Sequence, residues 1–218
     1  MCYNLLDKEF YVNIFTIQAV KIIDKSNLKR RFFSPNKESF DLIENEVKVL
    51  GLLNDNSIIE IYEILRSKNC TYIIMEYIKN GTILNKIHKQ TINKEEHVWK
   101  YFVDLIKGIE YLHETAKIIH FDIKVDNLLI DDKDNLRISD FSISRVFQDD
   151  DTFQAVKQGC PYYLPPEMTI KNEKFHGKPI DIWACGVVLY YMTYSKLPFY
   201  VNSRSDMKNL FEQIRTKE

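Results

Sequence analysis

Five polar side chains open the question of chemistry. Asp122, Lys124 and Asn127 fall within six residues of one another, Asp140 follows thirteen positions after Asn127, and Lys21 stands far upstream. Carboxylates and an amide are hard oxygen donors of the kind magnesium accepts, and lysines neutralise an anionic group. Each residue alone has a blander reading. A lone Asp is most often a turn residue or a cap, a lone lysine a surface charge, and His120 a packed core histidine. The joint order and spacing weigh against those readings.

The segment Ile119-His120-Phe121-Asp122-Ile123-Lys124-Val125-Asp126-Asn127-Leu128-Leu129 resembles the catalytic loop of protein kinases, H-R-D-L-x-x-x-N. Asp140-Phe141-Ser142 resembles D-F-G, Ala19-Val20-Lys21 the end of V-A-I-K, and Pro165-Pro166-Glu167 A-P-E. Asp181-Ile182-Trp183-Ala184-Cys185-Gly186 resembles the D-x-W-x-x-G that follows. Five weak motifs in the right order make a specific signal, and the resemblance covers nearly the whole chain. It implies phosphoryl transfer, which rests on positioning and charge neutralisation. Asp122 would take the proton of the attacking hydroxyl, Lys124 would balance charge on the transferred group, and Asn127 and Asp140 would hold Mg²⁺. Lys21 would hold the α- and β-phosphates of ATP with Glu46 as its partner, Glu44 being the rival. Met75 would be gatekeeper, main-chain groups of Glu76 and Ile78 would bond the adenine, and Ala19 and Leu129 would sandwich it. Lys124 two residues after Asp122 is the family's serine/threonine pattern, so the partner is a protein substrate with Ser or Thr. The segments Gly159-Cys160-Pro161, Lys174 to Lys178 and Leu210 to Ile214 look most like the kinases that activate AMP-activated protein kinase, including the calcium/calmodulin-dependent kinase kinases. That implies an upstream role toward another kinase.

Several positions depart from the pattern. Glycine is absent before Gly51, so the Gly-rich loop is missing. Phe121 stands for the arginine that binds an activation-loop phosphate, and Lys157 stands where a phosphorylatable threonine often lies, which implies activity independent of that phosphate. Asp149-Asp150-Asp151 reads as solvated loop, with phosphate mimicry as the rival. Ser142 replaces the D-F-G glycine and restricts the backbone, and Cys160 replaces a threonine that supports Asp122 and Lys124. Val12 to Gln18 reads as seven inserted residues. A translated intron, beginning GT and ending AG, and a genuine strand extension are the two accounts. Two functions stay open: an active serine/threonine kinase, supported by the intact set Lys21, Glu46, Asp122, Lys124, Asn127 and Asp140, and a pseudokinase or scaffold module, supported by these departures.

The elements that must position these residues follow from periodicity. Ile14 to Ile23 is strand-like, and Phe40, Ile43, Val47 and Leu50 form a helical face. Ile58 to Leu65 and Thr71 to Tyr77 are strand-like around a polar turn, and Asn80-Gly81 is a turn. A helix is predicted from Asn93, with Glu96 completing a capping box and Val98, Phe102, Leu105, Ile109 and Leu112 as its apolar stripe. Lys178-Pro179 opens another, Ile180 to Thr193, apolar nearly all round and so expected to be buried. The fold class expected from the resemblance is α+β and two-lobed. A β-rich N-lobe with one long helix occupies residues 1–78 without the Gly-rich loop. A larger helical C-lobe occupies 79–218 without the last helices, leaving the domain incomplete at both ends.

The 218 residues carry a net charge of −1, which points away from nucleic acid and membrane surfaces as partners. The four cysteines are scattered without a C-x-x-C pair, so reduced thiols in the cytoplasm, or the nucleus, are expected. No apolar run is long enough to span a bilayer.

Overall fold

The computed structural model describes residues 17–24, 37–92, 96–148, 151–154, 159–170, 174–203 and 206–216. Val12 to Thr16 of the insertion, Asn93, Asp149, Asp150 and Lys157 lie outside the described residues.

Alternation builds the first part. In β1 (Gln18–Asp24) Ala19, Lys21 and Ile23 face inward, while Val20 and Ile22 are 47% and 58% exposed. β1 pairs antiparallel with β3 (Cys70–Glu76), and β3 pairs on its other side with β2 (Ile61–Arg66). The register sets Ala19 opposite Met75 and Lys21 opposite Ile73. Helix α1 (Lys37–Leu50) contributes buried Glu46, Val49 and Leu50. The strand-like run that began at Ile14 is therefore described as strand only from Gln18.

The second part is mainly helical. Short α2 (Ile83–His88) starts at a reciprocal cap between Thr82 and Asn85. Helix α3 (His97–Glu110) begins later than predicted. Its N-cap is Glu96, which makes no side-chain cap bond; the capping box expected from Asn93 falls outside the described residues. A π-helical turn, Tyr111–Ala116, continues it. The stripe Val98, Leu105, Ile109 and Leu112 is buried as expected, Phe102 is half-buried, and Tyr101 joins the core with no exposed surface. The hydroxyl of Tyr101 donates to Asp134 at 2.6 Å. Helix α4 (Gly177–Tyr194) buries Ile180, Asp181, Ala184, Cys185, Val187, Val188 and Met192. It is not buried all round, since Ile182 is 52% exposed: one side of the helix reaches the surface despite its apolar composition. Helix α5 (Met207–Thr216) packs Leu210 and Ile214 against Phe199 and Val201. No helix among the described residues is long and apolar enough to cross a membrane.

Two-stranded ribbons carry the polar residues. β4 (Ile118–Ile119) pairs with β7 (Arg145–Val146), β5 (Leu128–Ile130) with β6 (Leu136–Ile138), and β8 (Thr152–Gln154) with β9 (Lys174–His176). The two parts are stitched where Ile59 N–H donates to the Ile138 carbonyl at 3.0 Å and Ile138 N–H to Ser57 at 2.7 Å.

At the centre lies Asp181, with no exposed surface. Its Oδ2 accepts from His120 N–H at 2.8 Å and lies 2.9 Å from His113 Nε2; its Oδ1 accepts from Phe121 N–H at 2.9 Å. Asp181→Ala leaves the His120 and Phe121 N–H groups and the His113 ring nitrogen without this partner, and an unsatisfied buried group costs about 1–3 kcal/mol. Urea unfolding is expected to show a loss of about 3 kcal/mol or more, and an unchanged midpoint would remove Asp181 from this role.

Candidate functional site

A cleft of about 310 Å³ opens between the sheet and the helical part, within the size range of small-ligand pockets. Ala19 and Leu129 line it, as do Met75 and Ile73 of β3. Its polar end is formed by Lys21, Glu46, Ser139 and Asp140. An apolar slot ending in charges suits a flat ring joined to an anion.

Lys21 reaches that end because strand alternation turns it inward. Its Nζ lies 2.7 Å from Glu46 Oε1 and 2.8 Å from Asp140 Oδ1. Glu46, 3% exposed, is the glutamate on the inner face of α1, whereas Glu44 pairs with Arg66 at 3.0 Å on the surface. Burial alone would lower Lys21, but two carboxylates on one ammonium outweigh it and hold its pKa above the ordinary value. Burial works against Asp140 too, and Lys21 overcomes it, keeping Asp140 below the ordinary carboxylate range. Glu46 goes the other way: its burial exceeds what its share of Lys21 returns, so its pKa is raised. Asn45, next to Glu46, donates to the Ser144 carbonyl at 2.6 Å, and the Ser144 hydroxyl donates to the His120 carbonyl at 3.1 Å. Helix α1, the segment after Asp140 and the loop before Asp122 are thus tied in sequence.

That loop holds the second polar group. Lys124 Nζ lies 2.5 Å from Asp122 Oδ2. The Asn127 amide nitrogen donates to the Asp122 carbonyl at 2.8 Å and to its Oδ2 at 3.1 Å, which leaves the amide oxygen as an acceptor for a ligand. Burial would lower Lys124, but the hydrogen bond and charge of Asp122 raise it. His120 donates from Nε2 to the Ser139 carbonyl at 3.1 Å and accepts Asp122 N–H on Nδ1 at 3.2 Å. Both nitrogens are engaged as in the neutral ring, and complete burial lowers its pKa. Phe121 and Asp140 adopt positive φ of 63° and 65°, conformations side chains seldom take unless held.

Other expectations meet the structure unevenly. Asp122, Lys124 and Asn127 cluster together beyond the cleft lining, and Asp140 belongs to the lining. Glu76 and Ile78 do not line the cleft. The main-chain N–H of Glu76 is spent on the Glu60 carbonyl at 3.0 Å, so it is not free for a base. Asp122 Oδ1 is buried with no hydrogen-bond partner among the described residues, and Cys160 lines the same small recess. A thiol is a weak donor where a hydroxyl would serve. Asp181, His113 and Asn45 were given no role by the sequence reading. Asp181 was legible only as part of a motif, and Asn45 carried no signal.

For a metal, Asp140 and Asn127 supply one charged and one neutral oxygen. No group of three or more His, Cys, Asp or Glu forms such a site among the described residues. A sparse oxygen set fits magnesium, which keeps its waters and borrows phosphate oxygens, better than zinc.

Residues 12–218 match the family described as protein kinase domain. The chain is 35% identical to CBL-interacting serine/threonine-protein kinase 2 of Arabidopsis thaliana over 191 residues, covering 87% of this chain and 40% of that protein. It is 36% identical to CBL-interacting protein kinase 10 of Oryza sativa subsp. japonica, with coverages of 90% and 41%. It is 33% identical to SNF1-related protein kinase catalytic subunit alpha KIN12 of Arabidopsis thaliana, with coverages of 90% and 37%. The chain spans about two fifths of the length of these relatives.

The raised Lys21 contributes stability that is complete below its ordinary value of 10.5 and is lost as pH rises through its folded value. At acid pH, Asp140 (lowered) and Glu46 (raised) act in opposite senses. The difference in urea midpoint between wild type and Lys21→Met is therefore expected to be level from about pH 6 to 9 and to shrink above about pH 10.5. A difference that grows in alkali would contradict this arrangement.

Proposed function

The chain belongs to the protein kinase family, and from that premise we propose that it transfers the γ-phosphate of ATP to a serine or threonine hydroxyl of a protein. The observation that carries the reading is Lys21, brought from the sheet to both Glu46 and Asp140 at one end of the cleft, with Asp122, Lys124 and Asn127 joined in a second cluster on the neighbouring loop.

The residues divide the task. Ala19, Leu129 and Met75 receive the adenine in the apolar slot. Lys21 holds phosphate oxygens, and Glu46 keeps its ammonium aimed. Asp140 and the Asn127 oxygen hold Mg²⁺, which neutralises phosphate charge when bound. Asp122 orients the acceptor hydroxyl and accepts its proton, and Lys124 balances the charge that develops on the transferred group. The resemblance of Lys174 to Lys178 and Leu210 to Ile214 to kinase-activating kinases supports another kinase as acceptor. Cysteines scattered along the sequence without a C-x-x-C pair support a reducing compartment such as the cytoplasm or nucleus.

A pseudokinase that binds nucleotide without transfer is the second reading, favoured by the orphaned Asp122 Oδ1 beside Cys160. Transfer from labelled ATP to a protein acceptor decides. Asp122→Asn is expected to lower the rate by about 10²–10⁴-fold while Mg-ATP affinity stays within about twofold. Equal transfer by wild type and variant would defeat the role given to Asp122. Binding without transfer in wild type would establish the second reading.

A further inference from the structure

Helix α1 has one residue to aim. Glu46 meets Lys21 at 2.7 Å only while the helix keeps one rotation about its axis. Counting about 100° per residue, Glu46 points between Val49 and Leu50, two apolar side chains that α1 buries. Apolar burial is non-directional, so this face by itself lets the helix roll. A carboxylate about 5–6 Å from the axis moves about 3 Å for a roll of about 30°. That is enough to part it from the ammonium.

Asn45 supplies the missing direction. It lies about 40° beyond Val49 on the helix wheel, half-buried at the margin of the inner face. Its amide nitrogen donates to the Ser144 carbonyl at 2.6 Å. That acceptor is itself fixed. Ser144 has no exposed surface, its N–H donates to the Phe141 carbonyl at 3.2 Å, and its hydroxyl donates to the His120 carbonyl at 3.1 Å. The next residue, Arg145, pairs with Ile119 in the β4–β7 ribbon. A hydrogen bond weakens steeply when bent, so a bond to a fixed carbonyl resists the roll that apolar contact permits. Glu44, on the other side of Asn45, meets Arg66 with both side chains 47% exposed or more, and a pair so exposed holds little.

We propose that Asn45 is a positioning residue that fixes the roll of α1 on Ser144 and so keeps Glu46 on Lys21. Asn45 does not line the cleft and acts through Glu46. The consequence for phosphate transfer rests on the kinase reading, whereas the coupling of Asn45 to Lys21 is testable without it.

The full chain is prepared with Asn45→Ala and with Asn45→Leu. Both replacements favour helix, and leucine keeps the branched outline of asparagine without its donor. Each is also combined with Lys21→Met, and urea midpoints are compared at pH 7. The midpoint shift that Lys21→Met causes in wild type is expected to fall to about half or less in both Asn45 backgrounds. In Asn45→Leu, kcat/KM for ATP is expected to fall about tenfold, with KM for the protein acceptor within about twofold. A Lys21→Met shift of the same size in all backgrounds would make Asn45 an ordinary stabilising contact and overturn the proposal. ATP kinetics equal to wild type would overturn it as well. If wild type transfers no phosphate, the kinase reading fails by itself, and the paired urea midpoints still decide whether Asn45 holds Glu46.

Discussion

A buried carboxylate, Asp181, accepts hydrogen bonds from two consecutive main-chain N–H groups and faces a histidine nitrogen. A charge without exposed surface is tolerable only when its oxygens are paired, and here the partners are the residues that precede Asp122. The requirement runs both ways. Asp181 needs those donors, and the loop needs Asp181 to keep Phe121 at positive φ. Gly177, in the first turn of the same helix, is backed against Ile119, since a Cβ there would approach the Ile119 side chain within 2.5 Å. Helix α4 thereby serves as the anvil on which the candidate catalytic loop is shaped.

From that anchor the order propagates by short polar links. His120 joins Ser139 and Asp122, Ser144 joins His120, and Asn45 joins Ser144. The chain of bonds ends one residue from Glu46, which meets Lys21. Each link crosses a boundary between elements distant in sequence, so the charged end of the cleft depends on the helical part as much as on the sheet. One ammonium faces two carboxylates; burial raises the carboxyl of Glu46 despite Lys21, while Lys21 overcomes burial at Asp140 and keeps it low. An uneven triad of this kind presents an ionised oxygen toward the cleft where a cation would sit.

The departures from the family pattern separate into two kinds. Phe121 is compensated: it gains ring partners in Phe153 and Phe175. Cys160 is not, and Asp122 Oδ1 lies buried beside it without a hydrogen-bond partner among the described residues. Ser142 lies between, since its side chain bonds Asp140 and helps keep that carboxyl low, after Lys21. Substitution in a polar site is tolerated where packing replaces the lost bond, and is felt where a buried oxygen stays unsatisfied.

The sequence by itself determined the family, the order of the motifs and the inward face of each long element. These depend on spacing along the chain: alternation put Lys21 inward, and helical period separated Glu46 from Glu44. Local signals misjudged burial, as at Ile182, because burial depends on what lies opposite. Only the tertiary structure decided which distant groups meet. Asp181 with Phe121, Asn45 with Ser144, and Phe153 with Phe175 are contacts between elements far apart in sequence. Nothing in a local period records them, because each becomes favourable only once the packed core has removed the alternative of bonding to water.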